Sequence, residues 1–434
     1  MSLRTPAFFS LFWVQFAGAF NDNLYKNALV MLITFSLVES GEDAGFLVAM
    51  AAGIFILPFF LFSAFAGQLA DRYAKSELIK RIKLAEVLIM LFGAMALIAQ
   101  STPLLLGTLF FMGVQSTFFG PIKYAILPEY LGSARLMHAN GWFNASTFVA
   151  ILLGTLMGGW VVMVDQGPYW MALAVVSLAI VGWLTALTLP QTRAQSPEMP
   201  LERHLWRLTW QEVVQTRTFD QAWFAILSIA CFWFVGATFL SQIPVLVKDG
   251  LGGDESVAVA LLVSFALGIG LGALWIVWRH PRIESLRDVG GLGRSWLLLA
   301  LLVALTAWQL VSFPVAPMGD QVSHETLLTL TAFLSLPQGI MFALSLMAIS
   351  AVGGRLIVPL YTLLLQRSPR AQRARVLAVN NIVNALFMVL SALWIMAVYA
   401  LGAGLLTLLW MLSVMVFAVS LWSHRRRRVL QETV

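Results

Sequence analysis

Cysteine and charge are what this chain of 434 residues has least of. Its single cysteine, Cys231, sits inside an apolar run, which excludes a disulfide framework. Asp, Glu, Lys and Arg make up only 11% of the residues, against 60% that are hydrophobic. A soluble domain carries roughly 25% charged residues, so a water-exposed globule is excluded too. The chain has 5 histidines and no cluster spaced for metal ligation. It lacks a Walker-type phosphate loop and a nucleophile–base pair. Enzymatic chemistry, a cofactor and a metal site are therefore not expected.

What is present is apolar sequence in long runs, with a mean hydropathy of +0.84. Runs of about 20 residues recur, each able to cross a hydrocarbon core of about 30 Å. They are continuous rather than alternating, which argues against a membrane β-barrel. The reading is an all-α polytopic membrane protein with twelve spans. The first six are 8–36, 45–69, 82–100, 103–127, 138–163 and 169–190. The second six are 221–247, 256–278, 295–313, 339–365, 375–398 and 401–422. The stretch Phe8–Leu37 is too long for a cleaved signal peptide and is expected to stay as span one. Domains follow: a six-helix bundle over 1–190, a linker over 191–220, a second bundle over 221–422 and a basic tail over 423–434. Pro197 and Pro200 break the linker, and Leu201, Leu205, Leu208 and Val213 have the spacing of a surface amphipathic helix. Residues 314–338 are expected to form a loop with a short helix at the outer surface.

The net charge of +6 is distributed by side of the membrane. Arg72, Lys75, Lys80, Arg81 and Lys83 follow span two. Arg193, Arg203, Arg207 and Arg217 lie in the linker, and Arg279, Arg282, Arg287 and Arg294 follow span eight. Arg367, Arg370, Arg373 and Arg375 follow span ten, and Arg425–Arg428 lie in the tail. The intervening loops carry Glu39, Glu42, Asp43, Asp165, Asp320 and Glu325, with Lys248 the exception. The positive-inside rule then makes the linker and both termini cytoplasmic.

The halves echo each other. Arg135, Asn140 and Asn144 have the same spacing as Arg375, Asn380 and Asn384; Pro121 and Pro359 precede them, and Gly18-Ala19 matches Gly236-Ala237. Such a parallel repeat resembles the major facilitator fold. "GQLADRYAKSELIK", from Gly67 to Lys80, is similar to that fold's loop signature. Gly67 would permit close helix approach. Asp71, with Arg72, would sit at a helix end and pair with basic groups, favouring one conformational state.

Four segments are more specific: "QFAGAFNDN", "GQLADRYAK", "GPIKYAILPE" and "ANGWFNASTFVAILLGTLMGG". With "VPLYTLLLQ" and "AVNNIVNALF" in the second half, they resemble the bacterial lysophospholipid transporter family. The resemblance implies flipping of lysophospholipids, such as lysophosphatidylethanolamine, from the outer to the inner leaflet of the bacterial inner membrane. It also implies a cytoplasmic acyltransferase/acyl-carrier-protein synthetase partner that reacylates them. That enzyme is fused to some relatives; here it is expected to be separate. Some members carry a basic residue in span seven, where this chain has Ser241 and Gln242.

In the fold so implied, spans one, four, seven and ten line the cavity. Asp22 lies about 14 residues into span one, near mid-bilayer by helical rise, and Lys26 is one turn on, where the two can pair. Buried ionisable groups in a membrane are costly and hence functional candidates. The expected substrate site is Asp22, Asn23, Lys26, Lys123, Arg355 and Gln242: the bases for a phosphate, Asp22 for an ammonium or to orient Lys26. Gly67, Asp71 and Arg72 are the expected gating residues. Asn140, Asn144, Asn380 and Asn384 are expected in helix packing, as are Gly154 and Gly158, and Glu86 at a helix interface. A proton-coupled major facilitator small-molecule or drug exporter is the alternative, and a non-transporting scaffold a weaker one. With Asp22 as the one acid placed deep in the cavity, transport without ATP or ion coupling is expected.

Overall fold

The computed structural model describes residues 5–33, 37, 41–132, 135–202, 204–279, 291–313 and 327–432. Its regular structure is nearly all helical: α1 Pro6–Leu32, α2 Gly41–Arg72, α3 Lys75–Ala99, α4 Thr102–Ala125, α5 Leu127–Leu131, α6 Leu136–Met163, α7 Gly167–Leu187, α8 Leu205–Thr216, α9 Asp220–Val245, α10 Glu255–Arg279, α11 Leu292–Val311, α12 Leu330–Ser335, α13 Pro337–Arg367, α14 Arg373–Ala400 and α15 Leu405–Glu432. Helices suit a bilayer because they satisfy every backbone N–H and C=O inside one segment.

Local signals set the ends. Thr5 caps α1, its hydroxyl accepting from the Phe8 amide at 3.3 Å, with Pro6 in the first turn where a missing N–H does no harm. Pro also opens α4 and α7. Gln100 closes α3 in the left-handed region at φ 49°. Within the segment expected to hold a short helix, Thr329 caps α12; residues 314–326 of that expected loop lie outside the described residues. Linker residues 197–200 are non-helical, and α8 begins at Leu205, later than the apolar spacing suggested.

Among the described residues, 11 helices are long and apolar enough to cross a membrane. The first helix is not one of them, because its polar centre lowers its hydropathy. It is nevertheless 27 residues long and packs into the hydrophobic core through Leu24, Tyr25, Ala28, Leu29 and Leu32. The chain is a multi-pass membrane protein.

Two compact units emerge from the packing. The first holds Met1–Trp223 and Leu364–Ala385, the second Phe224–Leu363 and Leu386–Val434. In the first, α1 packs on α6 at Gly154 and Gly158. A Cβ at Gly154 would lie 2.6 Å from the Phe20 carbonyl oxygen, and one at Gly158 3.2 Å from the Asn27 Cβ. Glycine is required there for backbones to approach, as the sequence suggested. In the second, Gly268 and Gly272 seat α10 against α13 at Met347, Ser350 and Ala351.

One expectation about α3 needs correction. The basic residues after α2 were read as loop charges, but α3 begins at Lys75, so Lys75, Lys80, Arg81 and Lys83 are all helical. Lys75 and Lys83 are buried. Each has a carboxylate partner: Glu129 lies 2.8 Å from Lys75, and Glu86 one turn from Lys83. A compensating charge is the condition on which burial of a lysine is tolerated.

Candidate functional site

The polar centre of α1 lies within the first unit. Asn21 is fully buried and donates to the Val175 carbonyl of α7 at 3.2 Å. Asn23 donates to the Ala19 carbonyl at 2.8 Å, and Asn27 to the Asn23 carbonyl and the Thr155 hydroxyl. These amides close local hydrogen bonds that lipid would not supply.

The two charges behave differently from the expectation of a mutual pair. Asp22 accepts a hydrogen bond from Ser116 of α4 at 2.6 Å. Lys26 donates to Asn23 at 3.0 Å, and its ammonium lies 5.7 Å from the Phe55 ring centre of α2. Among the described residues no ion pair joins Asp22 and Lys26. Helical spacing puts the two on one face, but the acid finds a donor on α4 while the base reaches an amide and a ring.

Ser116 leads to a group that sequence reasoning left out. Its neighbour Gln115 donates to Glu86 of α3 at 2.7 Å, and Lys83 donates to the same Glu86 oxygen at 2.5 Å. Lys83 is 0% and Glu86 2% exposed, so both are desolvated. Two glycines make room for the lysine. A Cβ at Gly18 would lie 2.9 Å from its Nζ, and one at Gly182 3.1 Å from its Cε. The Phe119 ring centre lies 5.5 Å from the ammonium. A run of side chains thus leads from Asp22 through Ser116, Gln115 and Glu86 to Lys83. The signal for it was the lone Glu86 inside the apolar run "KLAEVLIMLFG", three residues after a lysine. Its expected place at a helix interface is where it lies, but in contact with charge and amide.

Lys123 is two turns beyond Ser116, on the same face of α4. Its ammonium is 5.4 Å from the Tyr124 ring centre and 5.9 Å from that of Phe119. Asp22, Asn23, Lys26 and Lys123 therefore all belong to the first unit. Arg355 and Gln242 belong to the second. There the Arg355 guanidinium stands 4.9 Å from the Trp275 ring centre, a cation–π distance, and Gln242 accepts from Tyr399 at 2.7 Å.

The residues expected to gate form a clasp in the first unit, at the end of α2. Asp71 is fully buried and accepts from the amides of Ala374 at 3.2 Å and Arg375 at 3.3 Å. It therefore caps the positive end of α14, and the Arg375 guanidinium adds a contact at 3.3 Å. Gly67, one turn earlier, touches α14: a Cβ there would lie 2.8 Å from the Arg375 Cα and the Ala378 Cβ. Arg72 turns the other way and donates to the Met199 carbonyl of the linker at 3.0 Å. Arg375 also reaches Glu212 of α8 at 3.4 Å. Burial outweighs this attraction and pushes the Glu212 carboxyl above its usual range.

The repeat asparagines match in environment. Asn140 and Asn380 are 0% exposed, and Asn144 and Asn384 are both 5% exposed. Asn144 donates to the Asn140 carbonyl at 2.8 Å. A cleft of about 630 Å3 near the clasp is lined by Glu129, Leu136, Gln195, Arg370 and Arg373 among others, and none of the Asp22 group reaches it. Among the described residues, no three His, Cys, Asp or Glu side chains are grouped to hold a metal ion.

Comparison with known proteins matches this architecture. The profile of the Major Facilitator Superfamily covers residues 11–392. The lysophospholipid transporter LplT of Shigella boydii serotype 4 is 28% identical over 385 residues, which is 85% of this chain and 82% of the relative. The LplT of Escherichia coli O7:K1 gives the same figures. Among solved structures, a bacterial homologue of the iron transporter ferroportin superposes with a TM-score of 0.69 at 11% identity, over 98% of this chain and 99% of that one. The Escherichia coli fucose:proton symporter superposes with a TM-score of 0.66 at 14% identity, over 97% and 98%. At such identities the structures speak for the fold alone. The profile shows that the chain belongs to the Major Facilitator Superfamily, and its sequence is similar to that of LplT.

Proposed function

We propose that this transporter moves lysophospholipids, such as lysophosphatidylethanolamine, from the outer to the inner leaflet of a bacterial inner membrane by alternating access. The linker and both termini would then be cytoplasmic. The observation that carries the reading is the set of Asp22, Asn23 and Lys26 on α1 with Lys123 on the facing helix α4, with the rings of Phe55 and Phe119 beside the two ammonium groups. A lysophospholipid has the matching chemistry: a phosphate for Lys26 and Lys123, an ammonium for Asp22, and one acyl chain for the apolar surroundings. Arg355 and Gln242, in the second unit, are themselves proposed as substrate-binding residues. The names of the curated relatives support the substrate class. The Asp71 clasp is proposed to stabilise one state of the cycle, and Asn140, Asn144, Asn380 and Asn384 to hold helices together. Once inside, the lipid would be reacylated by a cytoplasmic acyltransferase/acyl-carrier-protein synthetase.

The direct test is the purified chain in liposomes carrying labelled lysophosphatidylethanolamine in one leaflet. Faster leaflet exchange than in protein-free liposomes, competed by unlabelled lysolipid but not by diacyl lipid, is the expected result. One observation favours the second reading, a proton-coupled small-molecule exporter. Glu86 is a second buried carboxylate, connected to Asp22 through Gln115 and Ser116, and proton-linked carriers need such a group. A proton gradient that accelerates transport would favour it.

A further inference from the structure

Helix α8 has one buried face and, opposite it, an exposed apolar stripe. Leu208, Glu212 and Thr216 are buried at 1%, 5% and 1% exposure, one helical turn apart. Leu208 packs on Ala64 of α2 and Ile382 of α14, with Phe65 beside it. The opposite side presents Trp206, Trp210 and Val214, again one turn apart, at 84%, 64% and 46% exposure. Arg207 and Arg217 are exposed near this stripe, and Gln211 and Gln215 are exposed on its polar flank. Two tryptophans this bare on an ordered helix have no packing reason within the first unit.

The depth of α8 says what meets them. Ala64 lies eight residues inside the end of the candidate span Gly53–Arg72, about 12 Å at 1.5 Å per residue. A helix resting on Ala64 and Phe65 therefore lies alongside the end of a membrane span, not out beyond it. In a bilayer crossed by that span, headgroups and the first acyl carbons surround its end. Tryptophan is enriched there because its ring is apolar and its N–H is polar, and arginines beside it favour anionic headgroups. The partner that this face fits is thus continuous with the lipid belt of the spans.

We propose that α8 is an interfacial helix whose Trp206–Trp210–Val214 stripe is embedded in the headgroup zone of the bilayer that the chain spans. Its other face holds Leu208 on α2 and α14, and Glu212 on Arg375, which contacts Asp71. The lipid surface then presses α8 onto the clasp. The inference stands on depth and exposure and does not depend on the substrate.

The test is spin-label accessibility in the full chain reconstituted in vesicles of phosphatidylethanolamine and phosphatidylglycerol. In a Cys231→Ser background, Trp206→Cys, Trp210→Cys and Val214→Cys are labelled one at a time, with Gln211→Cys and Gln215→Cys as the polar flank. Val214→Cys leaves both tryptophans in place, so the test survives if a tryptophan variant fails to fold. Labels at 206, 210 and 214 should be relaxed more by oxygen than by a water-soluble nickel chelate, and those at 211 and 215 the reverse. Nickel dominance at all five positions would mean the stripe is in water and would overturn the proposal. Protection of 206, 210 and 214 from both relaxants would mean protein covers it, and would overturn it too.

Discussion

A carboxylate in the middle of a membrane helix needs a donor, and Asp22 finds one in a hydroxyl rather than an ammonium. Asp22→Ala is expected to abolish lysolipid exchange in liposomes while the chain still inserts and elutes as a single species in detergent. Asp22→Asn keeps the contact with Ser116 but loses the charge. Normal exchange by well-folded Asp22→Asn protein would show that the charge is not used. At Lys123, replacement by Ala should weaken competition by lysolipids more than replacement by Arg, which retains a cation for the phosphate. Equal competition by both variants and the parent would leave Lys123 as a lysine resting on Tyr124 and Phe119. Asp22, Lys26 and Lys123 were legible in the sequence because an ionisable residue inside an apolar run is conspicuous. Lys83 was not, since it sits close enough to a cluster of loop-like lysines to be counted among them. Which partner each charge takes depends on the rotation of α4 and α3 about α1, which no spacing within one helix encodes. The buried Lys83–Glu86 pair makes its own prediction. Lys83→Met strands Glu86 and should cost about 3–5 kcal/mol, read as a lower melting temperature in detergent. The double change Lys83→Met with Glu86→Leu should recover much of that loss, because no lone charge remains buried. A double variant as unstable as the single one would mean the pair is not what holds the site.

Elements were more legible than partners. Run length indicated the spans, and the glycines that bring helices together were readable from small-x3-small spacing at Gly154 and Gly158. The first span was found by its apolar flanks although its centre is too polar to qualify by hydropathy alone. That conflict marks the site, because a helix keeps such residues in lipid only if other helices satisfy them. Helix α2 offers a paired test of close approach. Gly67 has Ala378 and Arg375 within 2.8 Å of where a Cβ would be, whereas Gly53 has nothing within 4 Å. Gly67→Ala should cost about 1–3 kcal/mol by overpacking, and Gly53→Ala should be neutral or gain up to about 1 kcal/mol from helix propensity. Thermal unfolding in detergent measures both, and equal shifts would show that α2 does not press on α14 at Gly67. For Glu212 the sign runs opposite to an ordinary ion pair. Its folded carboxyl is raised by burial, so its stabilising share is full below the usual Glu range and is lost as pH rises through the raised value. Glu212→Gln should therefore be at least as stable as the parent at neutral pH, with less decline above the Glu range. A Glu212→Gln chain that melts well below the parent at neutral pH would mean that the Arg375 attraction prevails over burial.

For the whole molecule the open quantity is the driving force. Fold class was visible in the sequence because it is written in run length. Coupling is not, because it depends on whether a buried acid changes its proton between states. The expectation of uncoupled transport was built on Asp22 as the one deep acid. Glu86 adds a second, but Lys83 compensates its charge at hydrogen-bond distance and Gln115 donates to the same oxygen. Asp22 in turn accepts a hydrogen bond from Ser116. The prediction is that exchange of a zwitterionic lysolipid in liposomes persists when an ionophore collapses an imposed proton gradient, with its direction set by the lipid's distribution between leaflets. A net-charged lysolipid should respond to membrane potential instead, since its headgroup crosses the field. Measuring initial rates for both lipids, with and without ionophore, separates the two effects. A large loss of the zwitterionic rate on collapse would overturn uncoupled transport and put Glu86 and Asp22 forward as the proton-linked pair. Glu86→Gln would then have to abolish the gradient dependence while sparing exchange at equal pH.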